Sequence, residues 1–181
     1  MIEQQYITDA VIQLKKLKVQ ADKALAQTTD EHLFATLDPE SNSIAIIMKH
    51  VAGNMRSRWT DFLTTDGEKP DRERDTEFEL AGADSRERIL ALWEDGWART
   101  LNAVSSLTAA DLSKTVYVRR EAHSVVEAIN RQLTHYAAHV GQIVLLAKHY
   151  AGPQWKTLSI PRGKSKEVDV AKSGAPYGVK T

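Results

Sequence analysis

The chain has 181 residues, and its 24 basic residues balance its 24 acidic residues. This length suits a single domain with a sizeable core, whereas a neutral chain without a basic run is not typical of proteins that bind nucleic acid or anionic membranes. The absence of cysteine excludes disulfides, thiolate metal sites and cysteine nucleophiles.

Targeting signals are also lacking in the sequence. The N-terminus has no basic region followed by an apolar stretch, and no segment approaches the roughly 20 apolar residues that cross a bilayer. We therefore expect an uncleaved cytoplasmic protein.

Two amphipathic helices are predicted in the first third of the chain. Apolar residues recur at helical spacing over residues 4–27. Ser43 then supplies an N-cap for a second helix over residues 43–63. Residues 64–83 are rich in Asp, Glu, Arg and Gly, which predicts a long surface connection. Its charged run is interpreted as solvated surface.

A third helix is predicted over residues 84–107. Asp84 and Glu87 have the spacing of a capping box at its start. Trp93 and Trp97 lie on its apolar stripe, and we interpret them as core residues in preference to the lining of a ligand pocket.

The fourth predicted helix covers residues 124–150. Ser124 and Glu127 repeat the capping-box spacing, and Gly152 with Pro153 ends the helix. Between the third and fourth helices, residues 116–118 are typical of a short extended segment.

The sequence after the fourth predicted helix shows little helical periodicity. Trp155, Leu158 and Ile160 form a short apolar stretch that could dock on the helices. We expect residues 1–165 to form one all-α domain and residues 166–181 to form a flexible tail.

The candidate chemistry begins with His135 and His139 on the fourth helix. Four residues apart, they lie on one helical face, with β-carbons about 6 Å from each other, so two imidazoles can share one metal ion. The HxxxH pattern is also found in packed or surface histidine pairs. The helical face that carries His135 and His139 is nevertheless polar, and a polar face inside a bundle needs a reason, because an unpaired buried polar group costs about 1–3 kcal/mol.

His50 on the second predicted helix also lies on a polar face. Isoleucines precede it by a turn, while Asn54, Ser57 and Asp61 follow along its face. One histidine from one helix and two from another give a three-nitrogen site with open positions. His32, His123 and His149 are interpreted as solvent-exposed or capping histidines.

His50 with Asn54 and Arg58, together with the His135-to-His139 spacing, resembles the DinB/YfiT-like superfamily of metal-binding four-helix bundles, and an uncharacterised branch of it most of all. The segments at residues 41–44, 50–54 and 158–165 also look like that branch. The resemblance covers roughly residues 4–165.

This resemblance implies an up-down-down-up four-helix bundle, a divalent ion (nickel, zinc or iron) on the three histidines, and a homodimer. Relatives in the superfamily include thiol S-transferases and a mycothiol-dependent maleylpyruvate isomerase. It therefore implies activation of a thiol at the metal. A thiol-cofactor pocket is not recognisable in this sequence.

Two functional hypotheses follow. In the first, the protein is a transferase or hydrolase whose metal activates a water or small thiol against a small-molecule substrate. Asn54 and Gln142 would then hydrogen-bond the activated group or orient an imidazole. Arg58 or Arg131 would bind a substrate carboxylate, unless it forms a structural ion pair with Asp61 or another acid. In the second hypothesis, the bundle holds a structural ion, or none, and acts through a partner.

Overall fold

The computed structural model describes residues 2–167. Within this range lie five α-helices and one two-stranded antiparallel sheet. The fold is helix-rich, as predicted, but the hairpin means that it is not purely helical. The elements are α1 (Ile2–Leu25), α2 (Asp30–Phe34), α3 (Ile44–Trp59), α4 (Arg86–Ser105), β1 (Thr115–Val118), β2 (Glu121–Ser124) and α5 (Val125–Ala151).

Four long helices pack around the core. Helix α3 packs along α4, α4 against α1, α1 against α5, and α5 against α3, so that the four close a ring. Trp93 and Trp97 of α4 and Tyr136 of α5 are fully buried inside this ring. The interpretation of both tryptophans as core residues is therefore confirmed.

Helix α3 is shorter than predicted because it ends at Trp59 instead of residue 63. Asp61 adopts a positive φ of 48°, which is incompatible with a continuing helix. Its carbonyl accepts hydrogen bonds from the amides of Thr64 and Thr65. Phe62 still lies in the core, so the apolar pattern continued beyond the helix itself.

Two helix starts differ in their outcome. Ser124 and Glu127 form the predicted capping box at the start of α5. At the start of α4, the predicted N-cap Asp84 is wrong: Ser85 caps the helix, and Asp84 binds the Lys49 ammonium at 2.8 Å. The Asp84 side chain is only 3% exposed and is held in this charge-assisted hydrogen bond.

Helix α2 was not predicted. Thr29 caps it, and the His32 ring accepts the reciprocal hydrogen bond from the Thr29 amide, which confirms His32 as a capping histidine. The extended segment at residues 116–118 is confirmed as part of β1, which pairs with β2 and packs beside α5.

The chain after α5 folds back onto the helices. Trp155 and Leu158 pack against the core as predicted, whereas Ile160 is 42% exposed. Lys156 exchanges two backbone hydrogen bonds with the Gln27 side chain. The predicted tail, residues 166–181, lies outside the described residues from residue 168 onward. No helix within residues 2–167 is long and apolar enough to cross a membrane.

Candidate metal centre

Packing of α3 against α5 brings the three predicted histidines together. His50 comes from the middle of α3, and His135 and His139 come from successive turns of α5. Each offers one ring nitrogen, and these three atoms all lie within 4.8 Å of one another. The two Nε2 atoms of His135 and His139 are 3.1 Å apart.

This spacing fits the donor set of a metal ion. Imidazole nitrogens at about 2.0–2.2 Å from zinc lie roughly 3–3.5 Å from each other. The pair on α5 already has this separation, and His50 needs only a small side-chain movement to reach it. Three imidazoles also leave positions open for a further ligand.

His50 is fixed on both its edge and its face. Its Nδ1 lies 2.9 Å from a carboxylate oxygen of Glu77, and its ring lies against Phe78 at a tilt of 32°, with centroids 4.7 Å apart. A carboxylate accepts only, so Nδ1 carries the hydrogen. Nε2 is therefore the ring nitrogen of His50 that is left for a metal.

His139 is oriented by the same principle from its own helix. Its Nδ1 lies 2.8 Å from the Gln142 side-chain carbonyl, which again places the hydrogen on Nδ1. The predicted helper Gln142 thus contacts an imidazole directly, although its own side chain is exposed. His135 differs, because its Nδ1 is buried with no hydrogen-bond partner among residues 2–167.

The surroundings favour the neutral form of the two imidazoles on α5. Burial, with the neighbouring His139 and His50, lowers the pKa of His135 to about 4, and the guanidiniums of Arg58 and Arg72 contribute. Burial also lowers the pKa of His139, although its bond to Gln142 acts in the opposite direction. Neutral imidazole is the form that binds a metal.

Glu77 is the residue that the sequence analysis missed. It lies in residues 64–83, which were predicted to form a surface connection, yet it is only 7% exposed. Burial alone would raise its pKa, but hydrogen bonds from His50 and Arg72 lower it on balance, so Glu77 is ionised. One signal was available: Gly53 lies three residues after His50, and an isolated glycine in a helix often marks a close approach.

The predicted helper Asn54 lies one turn after His50 and is 6% exposed. Its carbonyl oxygen accepts a hydrogen bond from the Tyr136 hydroxyl at 3.2 Å, and that hydroxyl accepts one from Trp59 Nε1 at 3.0 Å. These three side chains join α3 to α5 beside the histidines.

The two predicted substrate-binding arginines occupy different environments. Arg58 is 7% exposed, and its guanidinium donates to the Gly67 carbonyl and to Glu68. Its ion-pair partner is thus Glu68 and not the suggested Asp61. Arg131 is exposed on α5, where it lies 3.5 Å from Glu121.

The other histidines stand apart from the site. His149 is exposed near the end of α5, as expected, whereas His123 is partly buried on β2, 3.4 Å from Arg131. A groove of about 820 Å³ lies between α1, α5 and residues 155–159, and none of the three clustered histidines lines it. The centre is therefore a tight cluster of side chains and not the floor of a wide cavity.

Comparison with known proteins places the chain in a family. A family model described as "Protein of unknown function (DUF1572)" matches residues 1–164. The chain belongs to this family. No curated protein matches the sequence. The matched range includes the three clustered histidines, Glu77 and Gln142.

Proposed function

We propose that the protein is a DinB/YfiT-like four-helix bundle of up-down-down-up topology that binds one divalent ion through His50, His135 and His139. The observation that carries the proposal is the convergence of three ring nitrogens from two helices within 4.8 Å. The ring of four packed helices supports the proposed bundle. Nickel, zinc and iron all accept imidazole ligands.

For the reaction, we propose transfer to a thiol or hydrolysis. A divalent ion supplies one kind of chemistry here: it lowers the pKa of water or of a small thiol and so provides a nucleophile at neutral pH. The chain itself has no cysteine to take that role. A low-molecular-weight thiol or water from solution is therefore the nucleophile that fits.

The protein's own residues would orient the metal ligands and bind the substrate. Gln142 holds the His139 ring, and Asn54 anchors α3 to α5 through Tyr136. Arg131 is exposed one turn before His135, so we prefer it to the buried Arg58 as the group that binds a substrate carboxylate. Its ion pair with Glu121 would have to exchange for the substrate.

A non-catalytic role is the alternative, and one observation favours it. The three histidines do not line the 820 Å³ groove beside α1 and α5, whereas small-molecule sites are usually concave and well formed. In that case the ion would be structural, and the protein would act through a partner.

Metal analysis and a substrate screen with purified protein test the proposal. We expect about one tightly bound divalent ion per chain, loss of that ion in His139→Ala, and retention in His149→Ala, which removes an exposed histidine from the same helix. Metal-dependent turnover of thiol acceptors or simple esters would support the enzyme. Bound metal without any turnover, together with a stable partner complex, would refute it in favour of the alternative.

We also propose a homodimer. Ile12 on α1 and Leu145 on α5 are 37% and 65% exposed, which leaves apolar surface on two neighbouring helices. Two-fold pairing is the commonest way to cover such a surface. Light scattering at micromolar concentration should give twice the chain mass, and a monomer would contradict the proposal.

A further inference from the structure

The connection between α3 and α4 contributes directly to the histidine cluster. A short 3-10 helix, Asp75–Phe78, packs on α3 and presents two consecutive side chains to His50. Glu77 binds the Nδ1 edge at 2.9 Å, and Phe78 covers the ring. The connection between α3 and α4, which belongs to neither histidine-bearing helix, thus determines where the His50 ring lies.

Glu77 is held in turn by Arg72. The guanidinium donates from Nε to one carboxylate oxygen and from Nη2 to the other, both at 2.9 Å. The remaining Nη1 bonds both oxygens of Glu68. The Arg72 side chain is only 2% exposed, so this two-point contact is well protected from water. The carboxylate plane of Glu77 is therefore fixed.

Gly53 provides the space in which that carboxylate lies. A β-carbon built at this position would be 2.2 Å from Glu77 Oε1 and 2.7 Å from its carboxyl carbon. No side chain fits there unless Glu77 moves. The α3 backbone, one turn after His50, thus lies directly against the group that binds His50.

Both oxygens of Glu77 already have partners. Oε1 accepts from Arg72, and Oε2 accepts from Arg72 and lies next to His50 Nδ1. Glu77 is also not one of the residues whose ligand atoms converge. Its geometry therefore suits a group that orients a metal ligand and does not suit a fourth ligand.

We infer that Glu77, held by Arg72 in the space left by Gly53, is a positioning residue that fixes the tautomer and direction of His50 and so sets the affinity of the centre. The inference rests on the metal site proposed above. Histidine ligands generally donate their second N–H to such a partner, and losing it costs about 10- to 100-fold in metal affinity.

The test compares four proteins: wild type, Glu77→Gln, Gly53→Ala, and the control Glu79→Gln, which changes an exposed acid two residues further along. Affinity for Zn²⁺ is measured by competition with a chromophoric chelator at a temperature where circular dichroism shows all four to be folded. We expect Glu77→Gln and Gly53→Ala to bind about 10- to 100-fold more weakly. Glu79→Gln should bind as the wild type does.

A second readout separates positioning from a general effect on folding. The Nδ1–H signal of His50 in nitrogen-15 NMR should be protected in the wild type and shifted or lost in Glu77→Gln and Gly53→Ala. The Co²⁺ absorption spectrum should change in the same two variants. A loss of affinity with the His50 signal and Co²⁺ spectrum unchanged would overturn the inference.

The outcomes also separate this inference from the proposed function. If the wild type and Glu77→Gln bind Zn²⁺ equally well, the positioning role is refuted while the metal site stands. If the wild type binds no divalent ion at all, the metal site itself is refuted, and the positioning role falls with it.

Discussion

His139→Ala removes one of the three converging nitrogens and a half-buried ring. Without metal, the variant loses the contacts to Gln142 and His135, each worth about 1 kcal/mol, and gains about 0.5 kcal/mol of helix propensity. The apo protein should therefore lose only about 1.5 kcal/mol, because the apolar core supplies most of its stability.

Added metal should produce a much larger difference in stability between the wild type and His139→Ala. At a concentration 100 times the dissociation constant, an ion stabilises the folded state by about 2.7 kcal/mol. For a chain of this length that raises the Tm by about 5–11 °C. If the substitution weakens binding by about 100-fold, the same concentration gives about 0.4 kcal/mol, and the Tm rises by only about 1–2 °C.

Thermal melts with and without Zn²⁺ or Ni²⁺, followed by circular dichroism, measure this difference. His149→Ala is the matched control, because it removes an exposed histidine from α5 and should keep the full metal-dependent increase. An equal increase in Tm for His139→Ala would refute the three-histidine site. Unfolding of apo His139→Ala under conditions in which the apo wild type stays folded would show that the histidine itself is structural.

Three further predictions concern stability. Tyr136→Phe leaves the buried Trp59 N–H and Asn54 carbonyl without partners, so urea denaturation should show a loss of about 1–3 kcal/mol. Gly96→Ala places a β-carbon 3.1 Å from Met55 Sδ and 3.2 Å from Ala52 Cα, and overpacking between α3 and α4 should outweigh the gain in helix propensity by about 1 kcal/mol in the same assay. Because the pKa of His135 is about 4 in the folded protein and near 6.5 when unfolded, the unfolded chain binds the extra proton between these values. The urea midpoint should fall as the pH is lowered from 6.5 to 4, and His135→Ala should flatten this dependence.

Local patterns predicted the long helices because their physical causes are local. An apolar stripe and a capping box act within a few residues, and Ser124 with Glu127 is capped as its spacing predicts. Errors arose where a distant partner intervened. Lys49 draws Asp84 away from the predicted cap of α4, and nothing near Asp84 in sequence indicates this partner.

The histidine cluster likewise combines features set by local sequence with features set by distant contacts. The spacing of His135 and His139 fixes their shared face by helical geometry alone. Adding His50 required the further assumption that polar faces of two helices pack together, and the packing of α3 against α5 supports it. Glu77 offered no periodicity, because its 3-10 helix is only four residues long and lies within a charged connection. Its burial depends on Arg72 and Gly53, a combination that appears only once the chain has folded.

The charges around the centre bear on its choice of ligand. The acids nearby, the buried Glu77 and the partly buried Glu68, are already paired with Arg72 and Arg58. Both arginines contribute to the low pKa of His135, so their positive charge reaches the centre. No unpaired carboxylate of the described site is therefore left to balance the two positive charges that the proposed divalent ion would add. At the proposed metal site, an anion from solution would be favoured as the remaining ligand, and we expect thiols that ionise easily to bind better than neutral molecules of the same size.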